Sequence, residues 1–500
     1  MDVGHDHVIH SRGGRLDLAG TSTIDDVTRL LRQALDAAPP NGLAIHFHGG
    51  LVKLSAGMGI AERLAPQYAS AGTYPLFFVW ESGLAESLKN NLRDVLADAV
   101  FQELVKKVAE WALKQLGGAI RTRGSGATIN ATELRREFDD WFAQRSDTPP
   151  VMLGAPADTQ YRLRSVAPDE DDLAAKIEAE FDSDERFQEV IAGLYVASGR
   201  GAQATTRGGG VAAADVRALV DRQALDAMFT PVAPGSTRGA LAWYKVAKFI
   251  ARVVIAVVHR HLSDRDHGGY ATIVEEVLRA AYLDKVGEVV WRMMKKDTAD
   301  AFAADADAVG TALLSALAAL LADGRPLPRI TLIGHSTGAI YINHLIEHAA
   351  TLLPAARFNI VLLAPASRHE DFAALLAARA AAIDGFRMFA MTDDNEAKDE
   401  LVPVAYLRSL LYFVSGVLEG DADVPIMGMQ RFLKHTQTFD QQHFPGVAAV
   451  RDWLAAEPNR SVWSIDARSN GFGSAALKHG DFDDDAATIA SVRWILQQGY

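Results

Sequence analysis

Apolar residues fall along the chain in two rhythms. Near the N-terminus, short runs rich in β-branched and aromatic residues alternate with stretches of helical spacing. Val8–Ser11, Leu43–Phe47 and Pro75–Trp80 read as strands, and Ile24–Ala37 reads as a helix opened by Ser22 or Thr23. Such alternation is the pattern of a parallel sheet with crossover helices. From about Gly83 to Thr298 strand signals nearly vanish. Helical periodicities cover Leu84–Leu116, Ala131–Gln144, Asp172–Glu180, Ala212–Met228, Trp243–Leu262 and Tyr270–Lys296. Asn130 with Glu133 forms a capping-box pattern for the second of these. The glycine-rich stretch Ser198–Gly210 and the segment Pro231–Gly239 read as joints between helices.

Alternation then resumes. A helix is expected over Ala299–Leu321, a strand over Ile330–Ile333, a helix from Gly338, a strand over Asn359–Leu363, a helix near Asp371–Ala382 and a strand over Phe386–Met391. A helical stretch Val404–Leu418, a strand Val462–Ile465 and a closing helix Ala486–Leu496 complete the chain. The simplest organisation is one α/β sheet domain built from residues 1–82 and 299–500. Residues 83–298 are then a mainly helical insertion, a cap or lid.

The chain has 500 residues, enough for about three domains at roughly 150 residues each. The split pattern accounts for that length with a single elaborated fold. Half of the residues are hydrophobic (49%), which excludes whole-chain disorder. A formal charge of −13 provides no global field for nucleic acid or anionic lipid. With no cysteine, thiolate metal sites, disulfides and thiol nucleophiles are excluded. The start of the chain lacks the basic-then-apolar pattern of a secretory signal, and no run approaches the roughly 20 residues of a transmembrane helix. The expectation is a cytoplasmic protein that needs no cofactor and no metal.

One segment carries chemistry. Ile330–Ile333 runs into Gly334-His335-Ser336-Thr337-Gly338 and then into a helix, which is G-x-S-x-G in a strand–turn–helix setting. Ser336 is the candidate nucleophile. Gly235-Ser236-Thr237-Arg238-Gly239 has a threonine at its centre and no preceding strand, so it is set aside. A serine hydroxyl needs an imidazole base held by a third group. Of His435, His443 and His479, only His479 follows the last strand and precedes the last helix, so it is the candidate base. The acid is sought after Phe386–Met391, in Thr392-Asp393-Asp394-Asn395-Glu396. Asp393 is preferred, then Asp394, then Glu396. For the oxyanion, the Thr337 amide and an amide of His48-Gly49-Gly50-Leu51, Gly50 first, are the candidate donors.

Together, GHSTG, HGG, TDD and a late histidine resemble the α/β-hydrolase superfamily, its esterase and lipase branch in particular. The resemblance covers residues 1–82 and 299–500. It implies an eight-stranded, mostly parallel sheet with a Ser336–His479–Asp393 triad at the strands' C-terminal edge, and cleavage of a small-molecule or lipid ester through an acyl-enzyme. The oxyanion segment reads HGGL, not the HGGG of hormone-sensitive-lipase-like esterases. A thioesterase or peptidase of the same fold, and a non-catalytic binding or scaffold protein, are the alternatives.

Weaker signals have plainer readings. The helix Trp243–Leu262 sets valines, Phe249 and Ile250 on one face and Lys245, Lys248 and Arg252 elsewhere. A buried core helix is favoured over one that contacts a membrane surface. Gly199–Ala204 fits a loose dinucleotide pattern outside any βαβ unit and is set aside. Asp481, Asp483, Asp484 and Asp485 read as caps of the last helix.

Overall fold

Eight strands lie in one sheet in the order β2-β1-β4-β3-β5-β6-β7-β8, and every neighbouring pair is parallel except the edge pair β1–β2. They are β1 Val8–Arg12, β2 Arg15–Leu16, β3 Leu43–Phe47, β4 Tyr74–Glu81, β5 Ile330–His335, β6 Phe358–Leu363, β7 Ile383–Met391 and β8 Ser461–Ser464. The computed structural model describes residues 3–16, 22–50, 52–81, 85–116, 168–198, 219–229, 243–283, 285–403 and 406–500. The helix expected over Ala131–Gln144, the segments Gly199–Ala204 and Pro231–Gly239, and the first part of the one expected over Ala212–Met228 lie outside them.

Side chains alternate across the sheet and feed two cores. Ile45, Phe47, Phe78, Trp80, Leu332 and Leu362 pack on one face, while Ala44, Phe77, Val79, Ile333 and Leu363 pack on the other. Every residue of β3 and β5 is buried, as expected for central strands of a parallel sheet covered on both faces.

Helices form where the sequence supplies both a periodic apolar face and a cap. Thr23 caps Ile24–Asp36 through a reciprocal box with Asp26. Asp98 divides the helical run expected over Leu84–Leu116 into Ala85–Ala97 and Ala99–Gln115, because its carboxylate accepts from the Val100 and Phe101 N–H groups. The run expected over Tyr270–Lys296 is likewise two helices, Gly269–Ala281 and Glu288–Asp300, separated near Gly287 at φ +98°. The helix expected from Ala299 starts later, at Val309. Helices Glu185–Ala197 and Pro445–Ala456 are additional to the sequence reading.

Helix Trp243–Leu262 buries Val246, Ile250, Val253, Val254, Val257 and Val258, while Lys248 pairs with Asp171 and Arg252 with Glu170. Its apolar face is therefore part of a core. Buried charges join this region to the segment after β7. His267 lies between Glu275 and Asp423, at 2.9 Å from each, and Asp423 also pairs with Arg265 at 3.1 Å. Among the described residues, no helix is long and apolar enough to cross a membrane.

Candidate active site

The C-terminal ends of β3, β5, β7 and β8 open on one edge of the sheet, and the sequence-selected segments follow them. After β5 the chain turns sharply. Ser336 has φ +53°, a left-handed conformation that costs an L-residue on the order of 1–2 kcal/mol. Three hydrogen bonds hold it there: the Ser336 N–H donates to Leu363 O at 2.8 Å, and its carbonyl accepts from Ala339 at 3.1 Å and Ala366 at 3.0 Å. The flanking glycines permit the turn. A Cβ on Gly338 would stand 2.3 Å from the Phe47 carbonyl oxygen, and one on Gly334 would stand 2.8 Å from the Gly338 carbonyl carbon.

Ser336 and His479 meet although 143 residues separate them. Ser336 Oγ lies 3.0 Å from His479 Nε2, and the two residues are only 5% and 7% exposed. The other late histidines lie elsewhere, His435 against Asp264 and His443 against Asp440, both on exposed surface.

The backbone of His479 is clamped from both sides. Its N–H donates to Asp399 Oδ2 at 2.9 Å, and its carbonyl accepts from His335 Nε2–H at 3.0 Å. The His335 ring also faces the His479 ring, 5.4 Å between centroids, and its Nδ1 lies 3.4 Å from Asp483 Oδ2. Burial opposes charge on both members of this pair, but their mutual attraction prevails. The His335 pKa is raised, and Asp483, near His46 and Arg63 as well, is held at about 2.

The acid preferred from sequence is not the one at the histidine. Asp393 accepts a hydrogen bond from the Tyr412 hydroxyl at 2.9 Å, and no hydrogen bond or ion pair joins it to His479. Asp394 is exposed. Glu396 is fully buried, and burial, followed at a distance by the charges of Asp399 and Asp393, pushes its pKa to about 8 despite an opposing influence from Ser409. A carboxyl that is neutral at pH 7 cannot stabilise an imidazolium. Asp399, beyond the segment searched in the sequence, is a carboxylate that does meet His479, at its backbone N–H. The chain delivers it because the short helix Asp393–Glu396, capped by Thr392, folds back from the end of β7.

The loop after β3 packs on the serine turn. An added Cβ on Gly50 would stand 2.6 Å from Thr337 Oγ1 and 3.0 Å from Met294 Sδ, so only glycine allows this approach. His48 fixes the loop. Its Nε2 accepts from the Trp80 N–H at 3.2 Å, which leaves Nδ1–H to donate to Gly49 O at 2.8 Å. Burial lowers the His48 pKa to about 4, so the ring stays neutral in this tautomer. The Thr337 and Gly50 N–H groups make no backbone hydrogen bond with the described residues. Met294 belongs to helix Glu288–Asp300, so residues between β4 and β5 reach the site.

The four late aspartates have four separate partners. Asp485 caps helix Ala486–Gln498, Asp484 pairs with Arg63 at 2.6 Å, Asp481 accepts from the Leu477 and Lys478 N–H groups, and Asp483 faces His335. Among the described residues there is no cluster of three or more His, Cys, Asp or Glu side chains able to hold a metal ion. Compared with models of protein families, with curated proteins and with solved structures, the chain matches none.

Proposed function

We propose that the chain is a serine hydrolase of the α/β-hydrolase type that cleaves carboxylic esters through an acyl-enzyme. The observation that carries this reading is Ser336 Oγ at 3.0 Å from His479 Nε2, on a left-handed turn at the C-terminal edge of a parallel sheet.

In this mechanism His479 Nε2 takes the hydroxyl proton as Ser336 Oγ attacks the ester carbonyl carbon. The charge that develops on the carbonyl oxygen falls to the Thr337 and Gly50 amides, a pairing supported by the close packing of Gly50 on Thr337. The imidazolium then gives its proton to the departing alkoxide. Water, deprotonated by the same nitrogen, attacks the acyl-serine; the bond to Ser336 Oγ breaks, Oγ takes the proton back from the imidazolium, and the acid is released. Asp399, whose carboxylate accepts from the His479 main-chain N–H, is the charge proposed to stabilise the imidazolium, and it replaces Asp393 as the proposed acid of the triad. Residues 83–298 are proposed to act as a cap, supported by Met294 against Gly50. The substrate class is a small-molecule or lipid ester.

Turnover of p-nitrophenyl esters of increasing chain length tests the reading. The wild type is expected to hydrolyse at least one of them, and Ser336→Ala to lose about 10³-fold or more of that activity, as removal of a covalent nucleophile does. Equal turnover by Ser336→Ala would refute it.

A further inference from the structure

A cavity of about 550 Å³ lies away from Ser336, where helices Trp243–Leu262 and Gly269–Ala281 meet the loop at Asp421 and Ala422. Its size falls within the range of small-molecule sites, about 300–1,000 Å³. Four guanidinium groups line it, those of Arg252, Arg260, Arg265 and Arg279, against only two carboxylates, Glu276 and Asp421. In a chain of net charge −13 this is a local reversal of sign.

The cations differ in how they are satisfied. Arg252 pairs with Glu170 at 2.8 Å, and Arg265 with Asp423 at 3.1 Å. Arg260 is buried and directs Nη1 to Glu275 at 2.8 Å and to Glu276, one of the two lining carboxylates, at 3.0 Å. Its Nη2 has no hydrogen-bond partner. Arg279, on the neighbouring helix, makes no ion pair with any described residue, and its buried Nη1 also has no partner. Asp421 pairs with none of these arginines. Each of these two cavity-lining residues therefore keeps a guanidinium nitrogen for which no group among the described residues supplies an acceptor.

We propose that this cavity binds a phosphate-class oxyanion, a free phosphate monoester or the phosphate of a lipid headgroup, with Arg279 as its principal ligand and Arg260 beside it. A guanidinium presents a planar fork of donors that matches phosphate oxygens two at a time. The volume leaves room for an organic group beyond the phosphate.

The full-length protein would be titrated calorimetrically with glycerol 3-phosphate at fixed ionic strength, and in a second arm mixed with phosphatidylcholine vesicles with and without phosphatidate. Saturable binding is expected, weakened at least tenfold in Arg279→Gln and unaltered in Arg325→Gln, a surface arginine paired with Asp36. Asp421→Asn, an exposed substitution, is expected to tighten it. This variant keeps the test open even if Arg279→Gln does not fold. Binding of the soluble ester that depends on Arg279 identifies a free phosphate ligand. Binding confined to phosphatidate vesicles, with the same dependence, identifies a headgroup. No binding in either arm, or equal binding by wild type, Arg279→Gln and Asp421→Asn, overturns the proposal.

Discussion

Asp483→Asn isolates the charge pair behind the proposed base. In the wild type the Asp483 carboxyl is held at about 2 against an ordinary value of 3.8, and the facing His335 is raised above 6.5. At about 1.4 kcal/mol for each tenfold change, the carboxyl's displacement corresponds to about 2 kcal/mol of stability. Removing one partner of a buried ion pair commonly costs about 3–5 kcal/mol because a charge is stranded. The lower figure applies here, because His335 can shed its proton. The sign of the pH dependence follows. The depressed Asp483 pKa contributes stability that is present above 3.8 and lost as pH falls towards 2. The raised His335 pKa contributes stability that is present below 6.5 and lost as pH climbs through its folded value. Between about pH 4 and 6.5 both contributions are in place, and Asp483→Asn is expected to be about 2 kcal/mol less stable. Above that window the part that depends on charged His335 fades and the difference narrows, while the part that Asp483 owes to Arg63 remains. Urea unfolding followed by tryptophan fluorescence at pH 5.5 and at intervals to pH 9 measures the difference, and a histidine-resolved NMR titration measures His335 directly. A difference that is independent of pH, or a His335 pKa equal in both proteins, would refute this reasoning.

Two further outcomes follow from the same neighbourhood. Asp399→Asn is expected to lower ester turnover by about 10²–10⁴-fold, the range for loss of a triad acid or of a well-placed proton-transfer partner, while Asp393→Asn changes it little; steady-state kinetics decides, and the reverse order would restore Asp393 as the acid. Glu396, neutral when folded up to about pH 8, contributes stability that is complete below its unfolded value of 4.5 and is lost as pH rises through 8. Glu396→Gln is expected to remove a loss of a few kcal/mol between pH 5 and pH 9, so that its urea midpoint varies less with pH than the wild type's; an unchanged pH profile would contradict the buried neutral carboxyl.

Local signals revealed some of this site, and distance in the chain hid the rest. Ser336 and the β5 run were legible because G-x-S-x-G needs a strand, a tight turn and a helix, all of which leave marks within ten residues. His479 was legible from its place between β8 and the last helix. Asp399 was not, because it comes into contact with His479 only after the chain leaves β7, forms the helix Asp393–Glu396 and turns back; nothing in the order of residues measures that path. Asp483 was masked by its neighbours. In a run of aspartates ahead of a helix, capping is a sufficient reason for any one of them, and only the fold shows that Asp485 caps while Asp483 is buried against His335. The long helical runs erred where a single residue outweighed periodicity, as at Asp98 and Gly287. The parallel sheet itself was legible from strand and helix alternation, whereas the order in which β1, β4 and β3 sit beside β5 was not.

The central claim is that Ser336 is a nucleophile activated by His479, and covalent trapping tests it most directly. The folded protein would be treated with a fluorophosphonate and measured by intact mass and peptide mapping. One adduct per chain, located on Ser336 and absent from both Ser336→Ala and the urea-unfolded protein, is the predicted result. No adduct on the folded wild type, or equal labelling of Ser336→Ala, would contradict the account.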